Sequence, residues 1–439
     1  MITNFTESDK YRNEIHDLIP GGAHTYSKGD DQFPQLSPAA IVKGEGVYVW
    51  DLDGNKYLDC SMGLTSVSLG HAYKPVVDAV KAELDNGVNF QRPSHLEREV
   101  AKAFLSEVKC HDMVKFSKNG STVTTAAVKL ARAKTGRKYV AFPSDHPFYS
   151  YDDWFIGRTK CSKGVPEENT VLSLTYLHSD LSTLEKLFAD YKDQIACVIT
   201  EPVKNYDPGP EYAKNVMKIA HDNGALFIAD EMVSGFKAGF PGAITEFGIE
   251  PDMATWGKGI ANGFSFCALT GKKDVMSLGG INNEGEEKVF LISTTHGGET
   301  HTLAAAKQCL IEYREKNVIA HTKAIGRYFC EKVKNVLTET NMHDYVTLTE
   351  CEWFPMLVFK NREKEVCMKF RTLLLQEMIR RGVLFQGVLS PSFSHQESDI
   401  DFFAEALTSS LKVYATALEE GVEKYLVGKE TKPVFRKFN

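Results

Sequence analysis

Between residues 76 and 310, short apolar runs alternate with stretches of helical spacing, and this alternation restricts the fold more than any other feature of the chain. Residues 113–116, 139–142, 196–200, 225–229 and 265–270 are short, rich in β-formers and bounded by polar residues or glycine, as buried parallel strands require. The stretches between them, 123–134 and 212–223 among them, carry helical periodicity. The pattern predicts an α/β domain with a mainly parallel sheet. Before it, Asp53-Gly54-Asn55 between aromatic and β-branched runs predicts a hairpin within a small antiparallel unit. After it, helical segments flank strand-like runs near 346–349 and 355–359, which predicts a small α+β domain. The boundaries read as 1–75, 76–310 and 311–439.

With 439 residues, 43% of them hydrophobic, the chain can build its core without disulfides or a structural metal. The nine cysteines are scattered singly, with no C-x-x-C pair or zinc spacing, so reduced thiols and no metal site are expected. The 51 Lys and Arg against 58 Asp and Glu leave a net charge of −7, which gives no reason to expect nucleic acid or an anionic membrane as partner. Acids among the first ten residues, and the lack of an apolar stretch of about 18 residues, point to a cytoplasmic protein acting on small molecules.

In open α/β sheets ligands bind beyond the carboxyl ends of the strands, so polar residues just after apolar runs are the ones to inspect. Ser117-Lys118-Asn119-Gly120-Ser121-Thr122 offers backbone N–H groups at a helix start, suited to a phosphate or, equally, to ordinary capping by Ser121 or Thr122. Asp230-Glu231 ends a strand that should be buried; such an acid pairs with a protonated ring nitrogen or a metal, or caps a turn. Lys258 sits between Gly257 and Gly259, where a desolvated amine can form a Schiff base, although a surface lysine in a turn has the same text. Ser293-Thr294-Thr295-His296-Gly297-Gly298-Glu299 is a second phosphate loop, a subunit contact or a plain strand-to-helix connection. Their order is an inventory for an aldehyde cofactor with a phosphate and a basic pyridine ring.

The chain resembles the class III (omega-type) pyridoxal-phosphate aminotransferases, and among them the glutamate-1-semialdehyde 2,1-aminomutase group. The likeness rests on Pro20-Gly21-Gly22, the text from Val47 through Asp53-Gly54-Asn55 to Asp59, Leu69-Gly70-His71, Leu130 to Arg137, Glu201-Pro202, Asp230-Glu231 and Gly257-Lys258 in family order. It implies fold type I and a homodimer with active sites at the interface. By this resemblance Lys258 binds pyridoxal 5′-phosphate as a Schiff base and shuttles the substrate proton, and Asp230 keeps the pyridinium nitrogen protonated. Gly120 and Ser121 would hold the phosphate, with Thr295 from the neighbouring subunit; Met232 would pack on one ring face. For the opposite face, anchoring on the downstream Asp-Trp selects Phe148, whereas anchoring on the upstream strand selects His146. Glu201 matches the acid of the family's Glu-Pro motif or is an ordinary structural carboxylate.

Departures fall on the substrate side. Where the aminomutases carry an arginine that holds the substrate carboxylate, this chain reads Ala23-His24-Thr25-Tyr26-Ser27-Lys28, and a lysine is no bidentate fork. Tyr26, Lys28 and Arg92 could serve a phosphate or other anionic substrate group; Arg92 could equally be a solvated surface residue. The resemblance therefore implies transfer of an amino group from a donor such as glutamate to a carbonyl acceptor, sugar-derived or a small phosphorylated carbonyl of a surface-saccharide pathway. A 2,1-aminomutase and, more remotely, a noncatalytic scaffold are the alternatives.

Overall fold

A computed structural model describes residues 1–145 and 148–438, and the short apolar runs of the sequence emerge in it as strands. In chain order these are β1 Ile41–Glu45, β2 Tyr48–Asp51, β3 Lys56–Asp59, β4 Met113–Ser117, β5 Tyr139–Pro143, β6 Ser173–Tyr176 and β7 Ile195–Thr200. They continue with β8 Leu226–Asp230, β9 Met253–Trp256, β10 Cys267–Gly271, β11 Val346–Thr349, β12 Met356–Phe359 and β13 Val383–Leu384. The chain divides into two units: Met1–Tyr73 with Ala320–Val434, and Lys74–Ile319 with the residues from Phe435 onward.

The second unit holds a seven-stranded sheet in the order β4-β10-β9-β8-β7-β5-β6. Strands β9, β8, β7, β5 and β6 pair in parallel. All six residues of β7 are buried, so this strand lies at the centre of the apolar material. Each of its large apolar side chains contributes about 1.5–3 kcal/mol through removal from water. The helix Gly120–Thr135 lays Val123, Ala127, Leu130 and Ala131 into the same core as Val140, Ile199 and Ile228.

Residues 265–270 do not form a parallel strand: β10 starts at Cys267 and runs antiparallel to both β9 and β4. The cause is the short connection from β9, folded into a 3₁₀ turn Lys258–Ala261 and reversed at Asn262, whose φ is +46°. A parallel return needs a crossover of about a dozen residues or more. Two successive reversals cancel, so β4 points the same way as β5 to β9. The carboxyl ends of β4, β5, β6, β7, β8 and β9 therefore share one edge with the amino end of β10.

In the first unit the sheet order is β1-β2-β3-β13, with a separate β11-β12 hairpin. The Asp53-Gly54-Asn55 turn forms, with Gly54 at φ +80° and the Asp51 carboxylate accepting the Asn55 N–H at 2.8 Å. Segments 1–75 and 311–439 are separate in the sequence reading, yet β3 pairs in parallel with β13. Val47, Leu58 and Met62 share a buried cluster with Phe329, Leu373 and Phe403, so distant stretches of chain make one core. Among the described residues no helix is long and apolar enough to cross a membrane.

Gly326, in the helix Val318–Glu339, has the Glu352 backbone carbonyl where a Cβ would stand. Gly326→Ala is expected to destabilise the fold by about 1–3 kcal/mol, since backbone cannot yield as a side-chain tip can. Calorimetry on wild type and variant checks this; an unchanged Tm would show that the backbone moves freely there.

Candidate active site

The shared strand edge collects the polar residues that the sequence singles out. Asp230 is the last residue of β8, Glu201 follows β7, Gly257-Lys258 follows β9, and Lys118 to Ser121 follow β4. Parallel pairing sets Asp230 opposite Thr255, and the Thr255 hydroxyl donates to the Asp230 carboxylate at 2.8 Å. The Met232 N–H donates to the same Oδ1 at 3.0 Å. Asp230 is only 2% exposed, and these two donors fix its orientation. Thr255 as its partner escaped the sequence reading, because the strand register that pairs them is set only in the folded sheet.

Lys258 has a backbone φ of +46°, a left-handed conformation that costs a non-glycine residue about 1–2 kcal/mol. Gly257 before it tolerates no side chain: a Cβ there would run into Met232 Sδ and come within 2.8 Å of Cys267 Sγ. Burial pushes the Lys258 amine below the ordinary lysine range, while Asp230 and then Glu201 pull it up through their charge. An amine with a raised share of the neutral form, within the field of two carboxylates, is equipped for nucleophilic attack on a carbonyl and for proton transfer. Met232 also closes on Gly120, where a Cβ would lie 2.9 Å from its Cε. Met232 is thus packed between the β4 loop and the β9 turn.

Neither Ser121 nor Thr122 caps the helix after β4. The helix begins at Gly120, and Asn119 is its cap, its Oδ1 accepting the Thr122 N–H at 3.0 Å. The physical reason is that Asn119 keeps extended backbone, at φ −144°, whereas Ser121 is already helical and buried. The Ser121 hydroxyl instead accepts the Tyr151 N–H at 3.0 Å, which leaves its own proton to donate. The first-turn N–H groups face the strand edge with the positive end of the helix dipole, an arrangement suited to an anion.

The remaining site residues are dispersed. Thr295 is exposed, and its carbonyl accepts from the Asn89 side chain at 3.0 Å. Thr295 and Arg92 line one cavity of about 760 Å³ together with Arg98 and Lys115. Phe148 is 46% exposed and its ring meets Phe155 and Phe435 at centroid distances of 5.9 and 6.4 Å. His146 lies outside the described residues. Glu201 is buried, and its charge acts on Lys258 and on the Tyr149 hydroxyl. Tyr26 and Lys28 belong to the first unit, on the 3₁₀ turn Tyr26–Lys28, where Tyr26 is 66% exposed. Among the described residues no group of three or more His, Cys, Asp or Glu side chains could hold a metal ion.

Glu231, next to Asp230, takes a different part. It is wholly buried, accepts the Ser234 hydroxyl at 2.5 Å and the Ile244 N–H at 2.7 Å, and so ties down the loop that follows β8. Lys237, a buried lysine in a Gly- and Phe-rich stretch that the sequence reading passed over, donates to the Val233 carbonyl at 3.1 Å. Burial pushes the Glu231 carboxyl up to about 7. Burial and then the Lys258 charge push the Lys237 amine down to about 7. Between pH 4.5 and 7 the folded protein holds a proton on Glu231 that the unfolded chain has lost, so this residue makes stability fall as pH rises through that window. Glu231→Gln should flatten that part of the pH profile relative to wild type. A Tm series from pH 4.5 to 7 measures it, and parallel profiles would rule out the protonated carboxyl.

The class III aminotransferase family model matches residues 29–348. The 3-aminobutyryl-CoA aminotransferase of Cloacimonas acidaminovorans (strain Evry) is 29% identical over 409 residues, covering 91% of this chain and 95% of that protein. A glutamate-1-semialdehyde 2,1-aminomutase of Sulfurihydrogenibium azorense is 32% identical over 353 residues, covering 76% and 80%. The FumI protein of Sphingopyxis sp. MTA144, solved in its pyridoxal-phosphate internal aldimine form, superposes with a TM-score of 0.85 at 22% identity, over 94% of this chain and 98% of that one. A glutamate-1-semialdehyde aminomutase of Pseudomonas aeruginosa PAO1 superposes at 0.79 and 19% identity, over 93% and 94%. The fold is fold type I, the architecture of pyridoxal-phosphate transaminases. A family match over that span, on a sheet edge that carries a desolvated lysine and a buried aspartate, establishes the chain as a member of the class III aminotransferases, enzymes that depend on pyridoxal phosphate.

Proposed function

We propose that this enzyme transfers an amino group from an amino-acid donor, glutamate foremost, to a carbonyl acceptor, sugar-derived or a small phosphorylated carbonyl. The observation that carries the reading is the placement of Asp230, Glu201 and Lys258 at the carboxyl ends of the neighbouring strands β8, β7 and β9. The residues present fit pyridoxal phosphate: an amine for its aldehyde, a buried carboxylate for its ring nitrogen, and a helix start for its phosphate. The two glycines, Gly120 and Gly257, leave room for the Met232 side chain at the same strand edge. When bound, the cofactor supplies a sink for the electron pair left on the substrate's α-carbon.

In this reading Lys258 holds the cofactor through its amine and, once released by the substrate, carries the α-proton. Asp230, oriented by Thr255 and Met232 N–H, keeps the ring nitrogen protonated. Gly120 and Ser121 hold the phosphate through first-turn N–H groups and the Ser121 hydroxyl. Met232 and Phe148 would pack on the two faces of the ring, and Glu201 would add negative charge beside Lys258. Thr295, exposed on its own subunit, completes the phosphate site of a second copy in a homodimer. Within the second unit Arg92 is assigned to the acceptor's anionic group; the absence of arginine from residues 23–28 supports an acceptor other than glutamate semialdehyde. The similarity to relatives named as aminomutases supports a second reading, in which one substrate is both donor and acceptor.

The deciding experiment is the visible absorbance of the holoenzyme before and after L-glutamate, with no acceptor present. Replacement of the aldehyde-form band by the amine-form band is the expected result, whereas an unchanged spectrum would remove glutamate as donor and leave either another amino donor or the mutase. Lys258→Ala should lower turnover by roughly 10³-fold or more while the cofactor still binds noncovalently. Asp230→Asn should keep the cofactor bound and slow α-proton exchange, read by deuterium uptake from solvent; exchange at the wild-type rate would sink the ring-nitrogen assignment.

A further inference from the structure

Lys118 stands directly before the cap of the Gly120 helix, and its side chain leaves that loop to form an ion pair with Glu299, at the end of the loop that carries Thr295. Both side chains are largely buried, at 21% and 13% exposure. The same amine reaches the Thr302 hydroxyl at 3.2 Å and the Ser265 carbonyl at 3.4 Å. The Ser265 hydroxyl donates back to the Lys118 carbonyl at 2.7 Å. Glu299 has a second partner, with His296 Nδ1 3.1 Å from its Oε1. Behind it, Thr300 anchors the helix start through its N–H to the Val88 carbonyl at 3.0 Å and its hydroxyl to the Gly87 carbonyl at 2.7 Å. One amine therefore joins the β4 loop, the segment entering β10 and the 293–299 loop.

We propose that Lys118 and Glu299 are positioning residues for phosphate recognition, locking the Gly120–Ser121 turn and the Thr295 loop in one fixed arrangement. The inference rests on the reading that Gly120, Ser121 and Thr295 hold the cofactor phosphate. A helix start and a hydroxyl loop that moved independently would each have to be ordered when the anion binds, and the lock removes that cost in advance. A partly buried, multiply bonded pair can do so, whereas an exposed pair contributes little. Because Thr295 serves the neighbouring copy in that reading, the lock ties the phosphate turn of one site to the loop that completes the other.

The test compares the affinity of the apoenzyme for pyridoxal phosphate with its affinity for pyridoxal, which lacks the phosphate. The ratio of the two constants isolates phosphate recognition from ring binding and from general stability. Glu299→Gln and Lys118→Met should each lower that ratio about ten-fold, the size expected for loss of a charge-assisted contact. The double variant should be no worse than the poorer single one, because the two side chains act as a unit. Glu299→Asp, which keeps the charge, should recover part of the ratio. An unchanged ratio in Glu299→Gln, with the apoenzyme Tm retained, overturns the proposal. Should that variant fail to fold, Thr302→Val removes one Lys118 acceptor and reads the same ratio, expected to fall several-fold; no fall overturns the proposal. Ser121→Ala separates this from the underlying reading: if Ser121→Ala leaves the ratio intact the phosphate assignment fails, and if it lowers the ratio while Glu299→Gln does not, only the lock fails.

Discussion

The placement of the Lys258 amine and the buried Asp230 carboxylate at neighbouring strand ends, close enough for the carboxylate's charge to act on the amine, is what the rest of the large unit is arranged to sustain. Neither group would be held there cheaply alone: a buried carboxylate needs donors, and a buried ammonium is driven toward its neutral form. The fold answers both needs with neighbouring strands. β8 ends on Asp230, β9 supplies Thr255 as donor from the paired position, and the turn after β9 brings Lys258 back over the same edge in a left-handed conformation. The opposed pulls on the amine, burial downward and two carboxylates upward, leave it able to bond a carbonyl and to carry a proton.

Around these two groups the Met232 side chain packs closely against glycine backbone. Gly120 and Gly257 both touch Met232, and a side chain on either would displace it. Glu231 secures the loop after β8 from inside, with its carboxylate bonded to Ser234 and Ile244 rather than turned to the chemistry. Adjacent acids thus divide the work: Asp230 belongs to the edge, and Glu231 to the scaffold that keeps the edge in place.

Much of this was legible in the residues. The strands near 113, 139, 196 and 226, the helices after Gly120 and after Pro210, the Asp53-Gly54-Asn55 hairpin and the β11-β12 pair follow from apolar periodicity and turn chemistry, which are local. The reversal at β10 was not legible, because a run of six β-forming residues carries no sign of its direction; connection length and the Asn262 turn decide it. The cap of the Gly120 helix was misread by two residues for a similar reason: Ser121, Thr122 and Asn119 are all good caps by composition, and only the backbone angles select one. Lys237 was missed because a lysine in a glycine-rich stretch reads as surface until its burial is seen.

By itself the sequence determined the class of fold, the order of most of its elements and the family of enzymes to which the chain belongs. These rest on local propensity and on a collinear set of motifs, from Asp53-Gly54-Asn55 through Glu201-Pro202 and Asp230-Glu231 to Gly257-Lys258. Tertiary structure alone decided which polar residues meet. Thr255 finds Asp230 through strand register, β3 finds β13 across most of the chain, and Lys118 finds Glu299 from a distant loop. The physical reason is that hydrogen bonds and ion pairs between remote residues depend on distances of a few ångströms, which pairing and packing set and linear spacing does not.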